Sequence, residues 1–375
     1  MNETMSGTHI EEDNLKPEFR ELVAHDWDAE YLSYIKDQPF EETNQKGAII
    51  QLASATDYSQ RKAKWSQIDR NGSDNWKMAN PYYVGFGNPN ADILFVGKEM
   101  AFTPNTSGGA RKLHGFKLLF HESIMNYYHW RKIVASAKSG IKIDDRYIKE
   151  FANNNKYDFC PMFPLADDAF VHKYYDNEFS NVFSPGHTWR LYNKTVNCLN
   201  KTSCAYDRDL KLYSDSFFSQ CFMTELNYIP KENSAKLDPE ALSQYRMKIL
   251  KHTFFKTFPV VIFTAKTHVA EKEEETIKKI FCVERLDEEE LSRAVELTGC
   301  NEGYSVFMNS RTNQHEIALD SNKKGLACPV SVYRSKGGER YVFGTWQLSG
   351  GNRWSKNAYG RLVNLISSRK RFEKR

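Results

Sequence analysis

The sequence predicts an α/β protein, a three-layer αβα arrangement in which helices cover both faces of a short, mostly parallel central sheet. Four short apolar runs predict the core strands, and they span residues 93–96, 217–223, 259–264 and 342–345. Short runs that are apolar throughout are typical of parallel strands buried on both faces. Helical stretches separate the four runs, which is the order expected of β-α-β units.

Apolar periodicity and helix-start signals predict the helices between these strands. Thr188 can cap the helix that precedes the second strand, and the pair Asp238–Pro239 marks the start of the next one. A further pair of strands is expected within 304–334. The predicted helices span residues 113–136, 187–199, 238–257, 270–298 and 356–368.

Composition narrows the class of protein. The chain has 375 residues, 40% of them hydrophobic, and a net charge of only +4, so the total charge alone does not indicate a nucleic-acid partner. The seven cysteines are scattered and form no CxxC pair, which favours reduced thiols over a disulfide framework or a zinc site. Neither a signal peptide nor an apolar run of about 20 residues is evident. We expect a cytoplasmic protein without a metal, a cofactor or a membrane partner.

Changes in composition divide the chain into three parts. Residues 1–80 form a partly helical N-terminal extension, and residues 81–368 form the α/β domain, with insertions at about 140–186 and 270–335. The acidic run at 271–275 is predicted to be a solvated helix face, and the charged stretch 270–298 could also be a surface for a partner. The basic tail, 369–375, is either solvated or a phosphate contact.

Polar side chains follow each predicted core strand. The first strand is expected to end on Gly97 and to deliver Lys98 and Glu99 into the loop beyond it. Because the carboxyl ends of parallel strands meet at one edge of the sheet, where ligands bind in open α/β folds, we expect the following residues to gather there. They are Lys98, Glu99, Glu225, Asn227, Lys266, His268, Gln347 and Ser349.

Two of these loops carry a resemblance to a known family. The segment 97–101 (GKEMA) stands where the uracil-DNA glycosylase superfamily has its first motif, of the type GQDPY or GxNPG. The segment 347–351 (QLSGG) stands where that superfamily has its second motif, of the type HPSPLS or NPSGLS. The order of motifs resembles this superfamily over roughly residues 82–366. The sequence differs in having Glu99 and Met100 in the first motif, and Gln347 and Leu348 in the second.

The resemblance implies a role for each residue of the site. Glu99 would stabilise the positive charge on the sugar and orient a water, and Gln347 would donate to the leaving base. Asn227, Lys98 and Phe102 would bind the base. A final set would contact phosphates or DNA, and it consists of Ser349, Gly350, Gly351, Arg353 and Arg190. Structural roles remain open for Glu99 as an ion-pair partner, for Asn227 as a turn residue and for Gln347 as an ordinary loop residue.

The implied function is that of a DNA glycosylase, a hydrolase that acts on the N-glycosyl bond of uracil or another modified base. Its partner would be DNA, single- or double-stranded, or a nucleotide. Two alternatives remain open from the sequence. One is a binding protein of the same fold that does not cut its ligand, and the other is an N-glycosidase for free nucleosides or nucleotides.

Overall fold

The computed structural model describes most of the predicted α/β domain and part of the N-terminal extension. The described residues are 15–37, 79–101, 220–231, 242–269, 272–300, 302–320, 328–348 and 354–372, with short helical pieces within 126–135 and 191–199. The predicted insertion at 140–186 lies outside them. Within the described residues, no helix is long and apolar enough to cross a membrane.

Seven helices and nine strands are described. The helices are α1 Pro17–Ala24, α2 Trp27–Asp37, α3 Gln244–Leu250, α4 Lys266–Val269, α5 Glu273–Phe281, α6 Glu288–Glu296 and α7 Lys356–Phe372, and Thr253–Lys256 forms a 3₁₀ turn. The strands are β1 Phe86–Gly87, β2 Ile93–Ala101, β3 Cys221–Lys231, β4 Val260–Phe263, β5 Glu284–Arg285, β6 Ser305–Asn309, β7 Gln314–Ala318, β8 Pro329–Arg334 and β9 Tyr341–Gly344.

The strands form one mixed sheet in the order β1-β3-β2-β4-β9-β8-β7-β6, with β5 pairing with β8. The middle of the sheet is a parallel block of four strands, β3-β2-β4-β9. The prediction of an α/β protein is therefore confirmed, whereas the expected mostly parallel sheet is mixed: only these four of the nine described strands pair parallel. The other described strands pair antiparallel, and β5–β8 extend the sheet beyond β9. This extension comes from the segment 270–335. In it β6 and β7 form a hairpin, and β8 pairs with β7 on one side and with β9 on the other.

The parallel block is the centre of the core. All four residues of β4 and all four of β9 are buried, as expected of strands covered on both sides. On one face Phe222 packs against the rings of Phe19 and Trp130. The ring of Phe95, which alternation places on the opposite face, stacks on Tyr192 with centroids 4.2 Å apart. Helical residues therefore contact both faces of this block.

The helices of the N-terminal extension share the core of the sheet. Phe19, Tyr31 and Ile35 are fully buried in the same apolar cluster as the strands. The hydroxyls of Tyr34 and Tyr228 lie 2.9 Å apart, which joins α2 to β3. Within this extension, α1 turns an apolar face with Phe19 towards the sheet.

Candidate functional site

The carboxyl ends of the four parallel strands lie side by side. Val96 is in register with Thr224 of β3 and with Phe263 of β4, and Phe263 is in register with Gly344 of β9. Along the chain, the path goes from β2 to β3 on one side and then to β4 on the other. This reversal makes the β2–β4 boundary a topological switch point, the place where open α/β sheets form a ligand crevice.

Two strands continue past this edge. Glu99 of β2 is in register with Asn227 of β3, and the pairing reaches Ala101 and Lys231 after a register shift. The expectation that β2 ends on Gly97 is therefore wrong, because β3 continues beside β2 and pairs with Glu99 and Ala101. The second strand is also displaced from its predicted span of 217–223. As a result Glu99, Glu225 and Asn227 belong to strands rather than to loops.

Gly97 makes room for the carboxylate of Glu225 on the neighbouring strand. A Cβ atom at Gly97 would lie 2.0 Å from Oε2 of Glu225, so no larger residue fits without displacing the carboxylate. Glu225 is only 9% exposed. Glu225 thus places its carboxylate over Gly97, on the strand that borders the switch point.

Hydroxyl groups line the same edge. The hydroxyl of Thr264, which follows β4, donates to the carbonyl oxygen of Val96 at 3.2 Å. The hydroxyl of Tyr192 lies 2.8 Å from that of Thr264 and donates to it. Burial raises the pKa of Tyr192, and the charge of Glu225 raises it further, so this hydroxyl stays protonated. Lys98 is buried as well, at 4% exposure, and alternation places it on the opposite face of β2 from Gly97.

The fully buried guanidinium of Arg246, on α3, holds the end of β3 in place. Its Nε donates to the carbonyl oxygens of Glu225 and Leu226, both at 3.2 Å. Its Nη1 donates to the carbonyls of Pro81 and Tyr83, which precede β1. Burial lowers the pKa of Arg246 to about 10, which leaves the group charged at neutral pH. Sequence reasoning missed this residue, since only its place in an amphipathic helix was visible.

The structure gives Asn227 and Gln347 more local contacts than the glycosylase resemblance implied. Asn227 is fully buried, and its Oδ1 accepts from the backbone N–H of Ile229 at 3.0 Å. This bond matches the turn role that the sequence also allowed. Gln347 follows β9 and is partly exposed, and its backbone carbonyl accepts from Nε1 of Trp354 at 3.3 Å. Both residues lie at the predicted edge of the sheet.

Several predicted site residues lie outside the described part of the structure. For Glu99, the backbone position is described and the side chain is not. The remaining residues are Phe102, Arg190, Ser349, Gly350, Gly351 and Arg353. Their roles in base or phosphate binding stay predictions.

A buried network of charges lies behind the edge, between β4 and the antiparallel extension. Nζ of Lys266 lies 2.9 Å from Oε1 of Glu316 and 3.7 Å from Oε2 of Glu273. Arg285 lies 3.3 Å from the same Glu316 oxygen. Nζ of Lys266 also donates to the hydroxyl of Ser331 at 3.3 Å. These opposite charges offset one another, and the described residues contain no group of three acidic, His or Cys side chains that could hold a metal.

Glu273 corrects the interpretation of the acidic run 271–275 as a solvated face. Glu273 is 3% exposed and faces the core, while Glu275 pairs with Lys279 on the outer side of α5. A helical period places Glu273 on the same face as Ile277 and Ile280. The spacing of Glu273 from Ile277 and Ile280 is the signal in the sequence that distinguishes this buried glutamate from its solvated neighbours.

Comparison of the chain with protein-family models, curated proteins and solved structures found no match. The interpretation of the site therefore depends on its own geometry and chemistry. The relationship to the uracil-DNA glycosylase superfamily stays a prediction from the two motifs.

Proposed function

We propose that the protein binds a nucleobase extruded from DNA at the carboxyl edge of the parallel block and hydrolyses its N-glycosidic bond. The observation that carries this proposal is the pair of acidic positions on the adjacent strands β2 and β3, beside the switch point. Glu225 packs on Gly97, and Glu99 lies two residues further along β2 in register with Asn227. A three-layer glycosylase-like arrangement is part of the same proposal.

The proposed chemistry requires two separate tasks. An enzyme that acts on a base within DNA takes the nucleotide out of the stack and holds the base by its hydrogen-bonding edge. Breaking the glycosidic bond then develops positive charge on the sugar, which a nearby carboxylate stabilises while it orients the attacking water. The two strands offer one acidic residue for each task.

We assign the sugar of the bound nucleotide to Glu99 and its base to Glu225, whose carboxylate packs on Gly97. Glu99 lies on the part of β2 that projects beyond β4, where a ligand in the crevice would pass. Glu225 lies deeper, at the level of Gly97, and Arg246 fixes its backbone from behind. Gln347, on the loop after β9, would donate an amide hydrogen to the leaving base.

The substitution Glu99→Gln tests the catalytic assignment. It removes the charge and keeps the size of the side chain, so base release should fall by at least about a hundredfold while DNA affinity stays within a few-fold. Release is followed by mass spectrometry of the free base from oligonucleotides that contain uracil, hypoxanthine or damaged guanines. Glu275→Gln, on the outer side of α5, is the matched control. Release by Glu99→Gln at the wild-type rate would remove Glu99 from the mechanism.

A second function, binding without hydrolysis, is favoured by one observation. Oδ1 of Asn227, the amide assigned to the base by resemblance, accepts a hydrogen bond from its own chain. A protein of this kind would bind oligonucleotides and release no base. Its affinity would fall steeply with salt because binding displaces counterions from phosphates, whereas binding of a free nucleoside, the third possibility, would change little.

A further inference from the structure

Glu225 presents a carboxylate two residues before Asn227, the amide assigned to the base by resemblance, and on the same face of β3. Its oxygens lie against Gly97 at the switch point, and the side chain is almost fully enclosed. An ionised carboxylate only accepts hydrogen bonds, whereas an amide both donates and accepts. Glu225 therefore offers a base only hydrogen-bond acceptors, whereas an asparagine or glutamine at the same position would offer a donor as well.

That difference separates the nucleobases into two groups. The pairing edge of uracil has two carbonyl oxygens on either side of one N–H, so a carboxylate would meet at least one oxygen and repel it. The pairing edge of guanine has a ring N–H next to an exocyclic amino group, which matches the two oxygens of a carboxylate. Carboxylates likewise accept hydrogen bonds from amino groups when proteins read bases in DNA.

We propose that Glu225 makes the site selective for bases with an exocyclic amino group next to a ring N–H, the guanine-type edge, instead of uracil. This inference depends on the proposed function, because it assigns a substrate class to the same site. The carboxylate has acceptor positions for about four hydrogen bonds, so it can keep contacts within the protein and still accept from a base. Hydrogen bonds to a charged group are also the stronger ones.

The surroundings of Glu225 suit this role. Arg246 donates to its backbone carbonyl and to that of Leu226, so the strand that carries the carboxylate is held from the opposite face. The protonated hydroxyl of Tyr192 lies on the same side of the sheet as Gly97 and Glu225, because Tyr192 stacks on Phe95. Arg246 therefore orders the backbone that carries the carboxylate before a ligand arrives, which lowers the entropic cost of binding.

The test compares two oligonucleotides that differ by one amino group. Both are oligothymidylates with a single central guanine or hypoxanthine, because hypoxanthine is guanine without its 2-amino group. Phosphate contacts are the same in both and cancel. Fluorescence anisotropy should show the wild-type protein binding the guanine strand about tenfold more tightly, and Glu225→Gln should reduce the ratio to within about twofold. Glu275→Gln should keep the wild-type ratio.

Each outcome decides. Equal affinity of the wild type for the two strands overturns the inference and leaves the proposed function standing. A guanine preference that survives in folded Glu225→Gln also overturns it. Absence of binding to either strand, and to strands with uracil, overturns the proposed function together with the inference. If Glu225→Gln does not fold, Glu225→Asp replaces it in the test, because aspartate keeps the charge but is shorter by one methylene. A guanine preference in Glu225→Asp as large as that of the wild type would overturn the inference.

Discussion

Replacing Arg246 by methionine should cause a large loss of stability. Arg246 is fully buried and donates to four backbone carbonyls, those of Glu225, Leu226, Pro81 and Tyr83. Methionine fills much of the same space but donates no hydrogen bond. Each buried carbonyl that loses its donor costs about 1 kcal/mol or more, so we expect a loss on the order of 4 kcal/mol. That is a large fraction of a typical total of about 5–15 kcal/mol.

Urea unfolding followed by circular dichroism measures this loss. Arg246→Lys should fall between the wild type and Arg246→Met, because one ammonium group cannot reach both β3 and the segment before β1. Arg293→Met is the matched control, since Arg293 is exposed on α6 and its loss should change stability by less than about 0.5 kcal/mol. A loss of less than about 1 kcal/mol in Arg246→Met would refute the reasoning that this guanidinium joins the two segments.

Two further predictions concern buried charge. Glu316→Gln removes the carboxylate that pairs with both Lys266 and Arg285, so urea unfolding should show a loss of about 3 kcal/mol in the free energy of unfolding. Glu288→Gln, which removes an exposed carboxylate paired with His315, is the control and should change that free energy very little. Burial lowers the pKa of Lys16 from 10.5 to about 8, so the folded state releases this proton first. The unfolding free energy of the wild type should therefore rise relative to Lys16→Met between about pH 8 and 10.5, by about 1 kcal/mol after screening. If the difference in unfolding free energy between the wild type and Lys16→Met does not change across that pH range, burial does not lower the pKa of Lys16.

The sequence predicted the centre of the fold well because that part depends on local patterns. The runs at 93–96 and 260–263 are apolar throughout, and both became buried parallel strands. The exact end of β2 was not predictable in the same way. Lys98 and Glu99 look like loop residues, and they stay in the strand because β3 continues beside them, a contact between distant parts of the chain.

In the candidate site, too, local patterns were predictable from the sequence and contacts between distant parts of the chain were not. The positions of Glu99 and Gln347 at the ends of strands followed from the order of the motifs. The packing of Glu225 on Gly97 did not, since it depends on a register between strands more than a hundred residues apart. The buried charges of Lys266 and Glu316 were hidden for the same reason, because each looks like a surface residue until its partner is placed.

We propose that the carboxyl edge of the parallel block recognises a nucleobase in DNA and that the protein cleaves its glycosidic bond. The most direct measurement is mass spectrometry of free base after the full chain is incubated with oligonucleotides that contain uracil, hypoxanthine or damaged guanines. We expect free base from at least one of these strands, most readily from a base with a guanine-type edge, and we expect Glu99→Gln to abolish its release. Absence of free base from every one of these strands would contradict the proposed cleavage.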